Sequence, residues 1–114
     1  MKRGLLVLLL LIIIPSVSAL SVTLNAPTDA VSNSSTSFLV NCSVTEETYS
    51  MTSIKLYTDV TGTWTETSSS TGNISSAQFP VSSLSDGTYT WNCLAENANF
   101  DTAFASANRT FTVS

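Results

Sequence analysis

The stretch Leu84-Ser85-Asp86-Gly87-Thr88-Tyr89-Thr90-Trp91-Asn92-Cys93 decides the fold of this chain. Ser85-Asp86-Gly87 has the composition of a tight turn. Apolar and polar residues then alternate through residues 88–95, so one face of the segment carries Tyr89, Trp91, Cys93 and Ala95, and the other carries Thr88, Thr90 and Asn92. A period of two is that of a β-strand buried on one side. The stretch therefore predicts a turn followed by a half-buried strand.

The same alternation recurs along the rest of the chain. Residues 38–44 place Phe38, Val40, Cys42 and Val44 on one face. Weaker patterns predict further strands at residues 21–24, 53–57, 63–67, 74–79 and 109–113. Thr, Ser, Val, Phe, Tyr and Asn dominate these segments, and these residues disfavour helices. Seven short strands with turns about every ten residues predict an all-β sandwich of about seven antiparallel strands.

The two cysteines, Cys42 and Cys93, both fall on faces that carry apolar residues. In a secreted chain two such cysteines form a disulfide. Two free buried thiols in a reducing compartment are the alternative reading. A redox or metal role needs ligands that are closer together or more numerous. We expect a Cys42–Cys93 disulfide.

The amino terminus has the three parts of a secretory signal. A positive start, Met1-Lys2-Arg3, precedes ten consecutive Leu, Val or Ile at residues 5–14, and Val17 and Ala19 stand at the spacing that signal peptidase reads. A membrane anchor needs about 20 apolar residues, and this run breaks at Pro15. A pilin-type leader of archaeal form, cut after Arg3 or Gly4, is a third reading. We expect a signal peptide at residues 1–19, a domain at residues 20–114, and a secreted or cell-surface location.

The composition excludes several classes of site. The chain has no His, which excludes a His-ligated metal, a Ser-His-Asp triad and a Cys-His nucleophile. Four basic residues are too few for a nucleic-acid footprint. Residues 20–114 keep two basic and eight acidic side chains, a net charge of −6, and contain no second long apolar run. We expect a non-enzymatic domain with no cofactor, no metal, no nucleic-acid partner and no membrane span after cleavage.

The positions of the cysteines and the turn before residue 88 resemble a known family. Cys42 and Cys93, on the second and sixth predicted strands, resemble the inter-sheet disulfide of the immunoglobulin fold. The Leu84 to Tyr89 segment is similar to the Leu-x-x-Gly-Thr-Tyr turn of immunoglobulin-like and PKD-like repeats in bacterial and archaeal surface proteins, and residues 108–113 resemble their last strand. The resemblance spans residues 22–113 and implies a tyrosine-corner hydrogen bond from Tyr89. Trp91 departs from antibody-type domains, which carry Tyr there.

Three aromatic residues are candidate contacts with a partner. Trp64 has polar neighbours on a predicted exposed strand, which makes it the best single candidate. Phe100 and Phe104 lie in residues 96–107, the longest predicted connection, and end loops of such sandwiches often carry binding residues. The alternative is that both Phe rings cap the core. The Ser/Thr cluster at residues 65–71 is read as a solvated linker or as an O-glycosylated loop.

Four sequons are candidate N-glycosylation sites. Asn33 and Asn73 lie in predicted turns, Asn108 begins the last strand, and Asn41 precedes a buried cysteine on a strand, which makes it the weaker candidate. The alternative is that no sequon is modified, in an organism that lacks the transferase.

These features favour a non-enzymatic extracellular module for cell-surface adhesion or recognition through loops and edge strands. Its partner would be a protein or glycan at a cell surface, including a second copy of the chain. One alternative is a subunit of an extracellular filament, assembled by donor-strand exchange of residues 20–24. A carbohydrate-binding module is another, and it requires aromatic rings that are coplanar on one exposed face.

Overall fold

The computed structural model describes residues 20–114, and all regular secondary structure in this range is β. The predicted signal peptide at residues 1–19 lies outside the described residues. Nine strands follow in chain order: β1 (Ser21–Ala26), β2 (Val31–Asn33), β3 (Phe38–Thr45), β4 (Met51–Thr58), β5 (Thr65–Thr71), β6 (Ser76–Val81), β7 (Gly87–Asn97), β8 (Thr102–Phe104) and β9 (Arg109–Val113).

The strands form two sheets. The smaller sheet has the order β1-β3-β6, and all of its pairs are antiparallel. The larger sheet has the order β2-β9-β7-β4-β5. Its pairs are antiparallel except β2–β9, where residues 31–33 run parallel to residues 111–113. The chain passes from the smaller sheet to the larger one between β1 and β2, through the cis peptide bond Ala26–Pro27.

β8 and β9 share one edge of β7. β9 pairs with residues 87–91 of β7, and β8 pairs with residues 94–96. Residues 105–108 lie between the two short strands and leave the ladder. The Asn92 side chain occupies this interruption: its Nδ2 donates to the Ala105 carbonyl at 3.2 Å and its Oδ1 accepts from the Ala105 N–H at 3.1 Å. The buried side-chain amide of Asn92 therefore supplies hydrogen bonds in place of the backbone bonds that the ladder lacks here.

The core lies between the sheets. It includes the inward positions that the alternation predicted on β3 and β7, together with Met51 and Val81, which lie outside the predicted strands. Trp91, Phe111, Ile54 and Leu56 are its largest fully buried apolar side chains. Burial of the Trp91 ring leaves its Nε1–H without a hydrogen-bond partner in the described part of the chain, a cost of about 1–3 kcal/mol that the apolar burial of the ring offsets. Phe38 stacks on Phe111, with ring centroids 4.4 Å apart.

The predicted disulfide and tyrosine corner are both present. Cys42 on β3 is bonded to Cys93 on β7, which joins the two sheets through the core, with the two Cα atoms 6.6 Å apart. The Tyr89 hydroxyl donates to the Ser85 carbonyl at 2.7 Å. This bond fixes the turn that leads into β7.

Four expectations about the strands and their side chains were wrong. β2 and β8, each of three residues, were not expected. The Ser/Thr cluster read as a linker is β5, the edge strand of the larger sheet, because Thr favours extended backbone and an edge strand needs no apolar alternation. Trp64 precedes β5 rather than lying within a strand. Asn92, expected on the outer face, is covered by the β8–β9 interruption.

Candidate functional site

Three aromatic rings meet on the outer face of the larger sheet. The Tyr57 ring centroid lies 6.0 Å from that of Trp64 and 5.2 Å from that of Phe104, and the Trp64 and Phe104 centroids are 6.3 Å apart. Trp64 is 40% exposed and Phe104 is 41% exposed, while Tyr57 is half-buried. We call Tyr57, Trp64 and Phe104 the aromatic patch.

The alternation of β4 directs Tyr57 outward. Ile54 and Leu56 point into the core, so Lys55 and Tyr57 point away from it. The register of β4 against β5 shifts between Leu56 and Tyr57, which marks a β-bulge beside the patch. Bulges re-aim side chains locally. Tyr57 thus stands at the centre of the patch.

A tight turn delivers Trp64 to the same face. The Gly62 N–H donates to the Asp59 carbonyl at 2.8 Å, and Gly62 has a φ of +92°, which favours glycine. The turn is anchored to β7, because the Asp59 carboxylate accepts from the Thr90 N–H at 2.8 Å. Trp64 follows immediately, and its ring packs beside Tyr57. The indole is therefore held by backbone that is itself fixed to the sheet.

Phe104 reaches the patch from the other side. It lies on β8 directly opposite Leu94 of β7, and its ring meets Tyr57 edge-on, at an interplanar angle of 80°. The position of β8 depends on Asn92, which binds the next residue, Ala105, through both of its backbone groups. The position of Phe104 in the patch therefore depends on the buried side-chain amide of Asn92.

The three rings do not share a plane. The Tyr57–Trp64 and Trp64–Phe104 angles are 36° and 45°, and the third pair is edge-to-face. This arrangement is one that aromatic pairs prefer when they pack on each other. It does not supply the coplanar rings that the carbohydrate-binding reading required. The surface is an uneven apolar cluster with mutually supported side chains.

An ion pair borders the patch. The Lys55 ammonium lies 3.9 Å from a carboxylate oxygen of Glu66, and both side chains are partly exposed. Glu66 is the cross-strand neighbour of Tyr57. An exposed pair of this kind contributes little to stability. It gives the aromatic patch a rim that carries one charge of each sign.

Phe100, the third predicted contact, lies apart from the other two. It sits in the loop between β7 and β8, is 84% exposed, and has a positive φ of 63°. Asn97 organises this loop, since its Oδ1 accepts from the N–H groups of Asn99 and Asp101. Within residues 20–114 Phe100 makes no ring contact. The capping alternative does not describe either Phe, because both rings are exposed.

Sequence reasoning missed Tyr57 as a member of the site. The signal was present, because the same alternation that directs Ile54 and Leu56 inward places Tyr57 on the outer face. A single exposed aromatic residue is common on protein surfaces, so what distinguishes Tyr57 is its contact with two other partly exposed rings.

The four sequons lie in different environments. Asn33, Asn73 and Asn108 are exposed, and Asn41 is half-buried on β3, where its Nδ2 donates to the Ala77 carbonyl. The Asn73 Oδ1 accepts from the Met51 N–H at 3.1 Å, and the Asn108 Oδ1 accepts from Asn92 Nδ2 at 2.8 Å. Asn41 is therefore the least accessible of the four, and modification of any of them stays a prediction.

Among residues 20–114, no group of three or more His, Cys, Asp or Glu side chains is placed to hold a metal ion. No helix in this part of the chain is long and apolar enough to cross a membrane.

Comparison with known proteins shows the fold. No protein-family model and no curated protein matches the chain. The fibronectin(III)-like modules of CbhA from Clostridium thermocellum match with a TM-score of 0.61 at 10% identity, over 88% of this chain and 49% of that chain. Superoxide reductase (neelaredoxin) from Ignicoccus hospitalis matches with a TM-score of 0.61 at 14% identity, over 82% and 80% of the two chains.

An engineered protein also matches, with a TM-score of 0.60 at 20% identity, over 83% of this chain and 20% of that one. At such identities a structural likeness shows the fold alone. The described chain is an all-β, immunoglobulin-like sandwich with one inter-sheet disulfide, of the general fold found in fibronectin(III)-like modules.

Proposed function

We propose that this chain is a non-enzymatic extracellular module for cell-surface adhesion or recognition, and that it binds a protein partner through the aromatic patch. The observation that carries the proposal is the mutual packing of three partly exposed rings on the outer face of the larger sheet. Exposed apolar clusters with polar rims mark interaction sites on soluble domains.

The patch has the composition of a binding hot spot. Trp and Tyr dominate the binding energy of protein interfaces, and such residues cluster near the interface centre. The rings of the patch restrain one another, so little side-chain freedom remains to be lost when a partner binds. Lys55 and Glu66 supply a rim for either sign of charge on the partner.

The tilt of the rings favours a protein over a glycan as the partner. A sugar ring stacks on one flat aromatic face, or on several that are coplanar. The rings of the patch are inclined by 36° to 80°, which leaves notches between them that suit the side chains of a protein.

An extracellular location is part of the proposal. The disulfide is typical of oxidising compartments, and residues 1–19 have the composition of a secretory signal. The sequence lacks the His residues on which many catalytic sites rely. The mechanism is therefore contact rather than chemistry.

The test measures adhesion of beads coated with the secreted protein to cell envelopes of the organism that produces it. Trp64→Ala and Phe104→Ala should each weaken adhesion at least tenfold, as expected for hot-spot residues. Leu39→Ala is the matched control, because Leu39 is 53% exposed but lies on the opposite sheet. This control should stay within twofold of the original protein.

Treatment of the envelopes separates the partner classes. Loss of adhesion after protease digestion supports a protein partner, whereas loss only after glycosidase treatment contradicts it and favours carbohydrate binding. Unchanged adhesion of the Trp64→Ala/Phe104→Ala double variant, with an unchanged melting temperature, contradicts the assignment of the patch. The absence of any adhesion by the original protein contradicts the proposed function itself.

A further inference from the structure

The outer edge of β1 presents unpaired backbone groups. Within residues 20–114, β1 has a neighbour in the smaller sheet on one side only. The Val44 N–H donates to the Ser75 carbonyl, on the β6 side of β3. Since Val22 is paired with Val44 and Leu24 with Cys42, both are non-hydrogen-bonded pairs. The N–H and C=O groups of Val22 and Leu24 therefore point away from β3, toward the free edge.

A cleft lies along this edge. It has a volume of about 410 Å³ and runs between residues 22–24 and the β8–β9 interruption. The facing wall includes Ala105, Ser106 and Ala107, whose side chains are all small, and the cleft is also lined by Asp29 and Arg109, one charge of each sign. The interruption that Asn92 spans thus leaves space beside the backbone of β1 for another extended segment.

The β1 edge lacks the charge and the proline that block strand pairing at other edges, and its β-bulge lies beyond Leu24, outside the segment Val22 to Leu24. Charged residues and proline normally protect an edge strand. On β6, Pro80 is paired with Leu39 in a position where its nitrogen faces outward, so that edge lacks a donor. β5 carries Glu66, and β2 has only three residues. β1 has neither a charge nor a proline among its six residues.

The lack of charge extends across the whole smaller sheet. None of the residues of β1, β3 and β6 is charged, although residues 20–114 carry a net charge of −6. Two copies of an acidic protein repel least where neither presents a charge. Electrostatic repulsion between two copies is therefore lowest when they approach through the smaller sheet, in which β1 is an edge strand.

We propose that β1 pairs with β1 of a second copy of this chain, antiparallel about a two-fold axis at Thr23. In this register Val22 of each copy stands opposite Leu24 of the other. Their outward N–H and C=O groups form four hydrogen bonds, and the two smaller sheets become one continuous six-stranded sheet. This interface is separate from the aromatic patch and goes beyond the function proposed for it.

The side chains suit this register. Val22 and Leu24 point into the core of their own copy, so the pairing aligns two apolar rows on the inner face. Thr23 is exposed and meets Thr23 of the other copy, a favourable cross-strand pair. Because Thr23 directs its own N–H and C=O toward β3, the two Thr23 residues form a non-hydrogen-bonded pair, with Cα atoms about 4.5 Å apart.

Two variants test the interface in the secreted full chain. Thr23→Lys places like charges opposite each other across the two-fold axis and should raise the dissociation constant of the dimer at least tenfold in sedimentation equilibrium. Gln78→Lys adds the same charge on the same sheet but on β6, and should leave the constant within twofold. Thr23 and Gln78 are both exposed, so both variants should keep the melting temperature of the original protein.

Cross-linking tests the register. Thr23→Cys should give a disulfide-linked dimer under mild oxidation, since a Cα separation of about 4.5 Å allows this bond. Gln78→Cys should stay monomeric under the same conditions. A Trp64→Ala variant should dimerise like the original protein, which separates this interface from the aromatic patch.

Four results overturn the proposal. The first is a monomeric original protein at millimolar concentration. The second is a dimer that Thr23→Lys does not weaken. The third is equal cross-linking at positions 23 and 78. Capture of an unrelated extended peptide along β1, in place of a second copy, also contradicts it.

Discussion

Replacement of Asn92 by Ala should destabilise the domain far more than its place on an outer strand face suggests. The side chain makes three hydrogen bonds to the β8–β9 interruption: two with the backbone of Ala105, and one from Nδ2 to Asn108 Oδ1 at 2.8 Å. At about 1 kcal/mol each, their loss lowers the free energy of unfolding by about 3 kcal/mol. Urea denaturation measures this difference directly.

A second substitution at Asn92 gives a pH-dependent signature. Asn92→Asp keeps an acceptor for the Ala105 N–H but directs a carboxylate at the Ala105 carbonyl and at Asn108 Oδ1. The N–H groups of Cys93 and Ala105, which donate to Oδ1, favour the charged form, but burial and the two acceptors outweigh them and raise the pKa of the new carboxyl above its value in the unfolded chain. Stability is therefore greater below the unfolded pKa and falls as pH rises through the folded pKa. We expect this variant to be more stable at pH 4 than at pH 7, relative to the original protein.

The control and the local readout decide whether the reasoning holds. Asn108→Ala removes one of the three bonds and should cost about 1 kcal/mol. Hydrogen exchange of the Ala105 amide should accelerate strongly in Asn92→Ala and only slightly in the control. A loss below 0.5 kcal/mol for Asn92→Ala, or unchanged exchange at Ala105, refutes the idea that one amide holds β8 and β9 in place.

Three further changes in stability are expected, each measured by chemical denaturation. The double variant Cys42→Ala/Cys93→Ala should lose about 4 kcal/mol of unfolding free energy, because the bond closes a loop of 51 residues. A loss near zero contradicts the idea that the disulfide acts by restricting the unfolded chain. Tyr89→Phe should lose about 1 kcal/mol, because the hydroxyl bond to Ser85 disappears while the ring stays packed; an unchanged midpoint shows that water replaces the bond at no cost. Phe100→Gly should gain about 1 kcal/mol by relieving a positive φ, and a destabilised variant shows instead that the exposed ring packs in solution.

Local alternation predicted the parts of the fold that depend on burial. β3 and β7 each bury one face, so their period of two identified the strands, the inward cysteines and Trp91 directly. β2 and β8 escaped because a strand of three residues has no period to read. β2 forms because it pairs with β9, which is distant in the sequence. β8 forms because it pairs with β7, from which a turn separates it.

The sequence indicated which residues could form the candidate site, but not that they come together in space. Trp64 and Phe104 stood out as exposed aromatics, but 40 residues separate them in the sequence. Their meeting at Tyr57 depends on the order of β5, β4, β7 and β8 in the sheet. Asn92 was assigned to the solvent face on alternation alone. Its burial follows from the interruption between β8 and β9, which leaves no periodic signal in the sequence.

The parallel pairing of β2 with β9 gives the domain a mechanical property. A tensile load along the chain pulls β2 toward its amino end and β9 toward its carboxyl end. Because the two strands run in the same direction, this load shears their ladder lengthwise, and the rungs at residues 31–33 must break together rather than one after another. A load applied between the two ends of the domain would therefore be resisted at this short ladder, whose hydrogen bonds would break in one step.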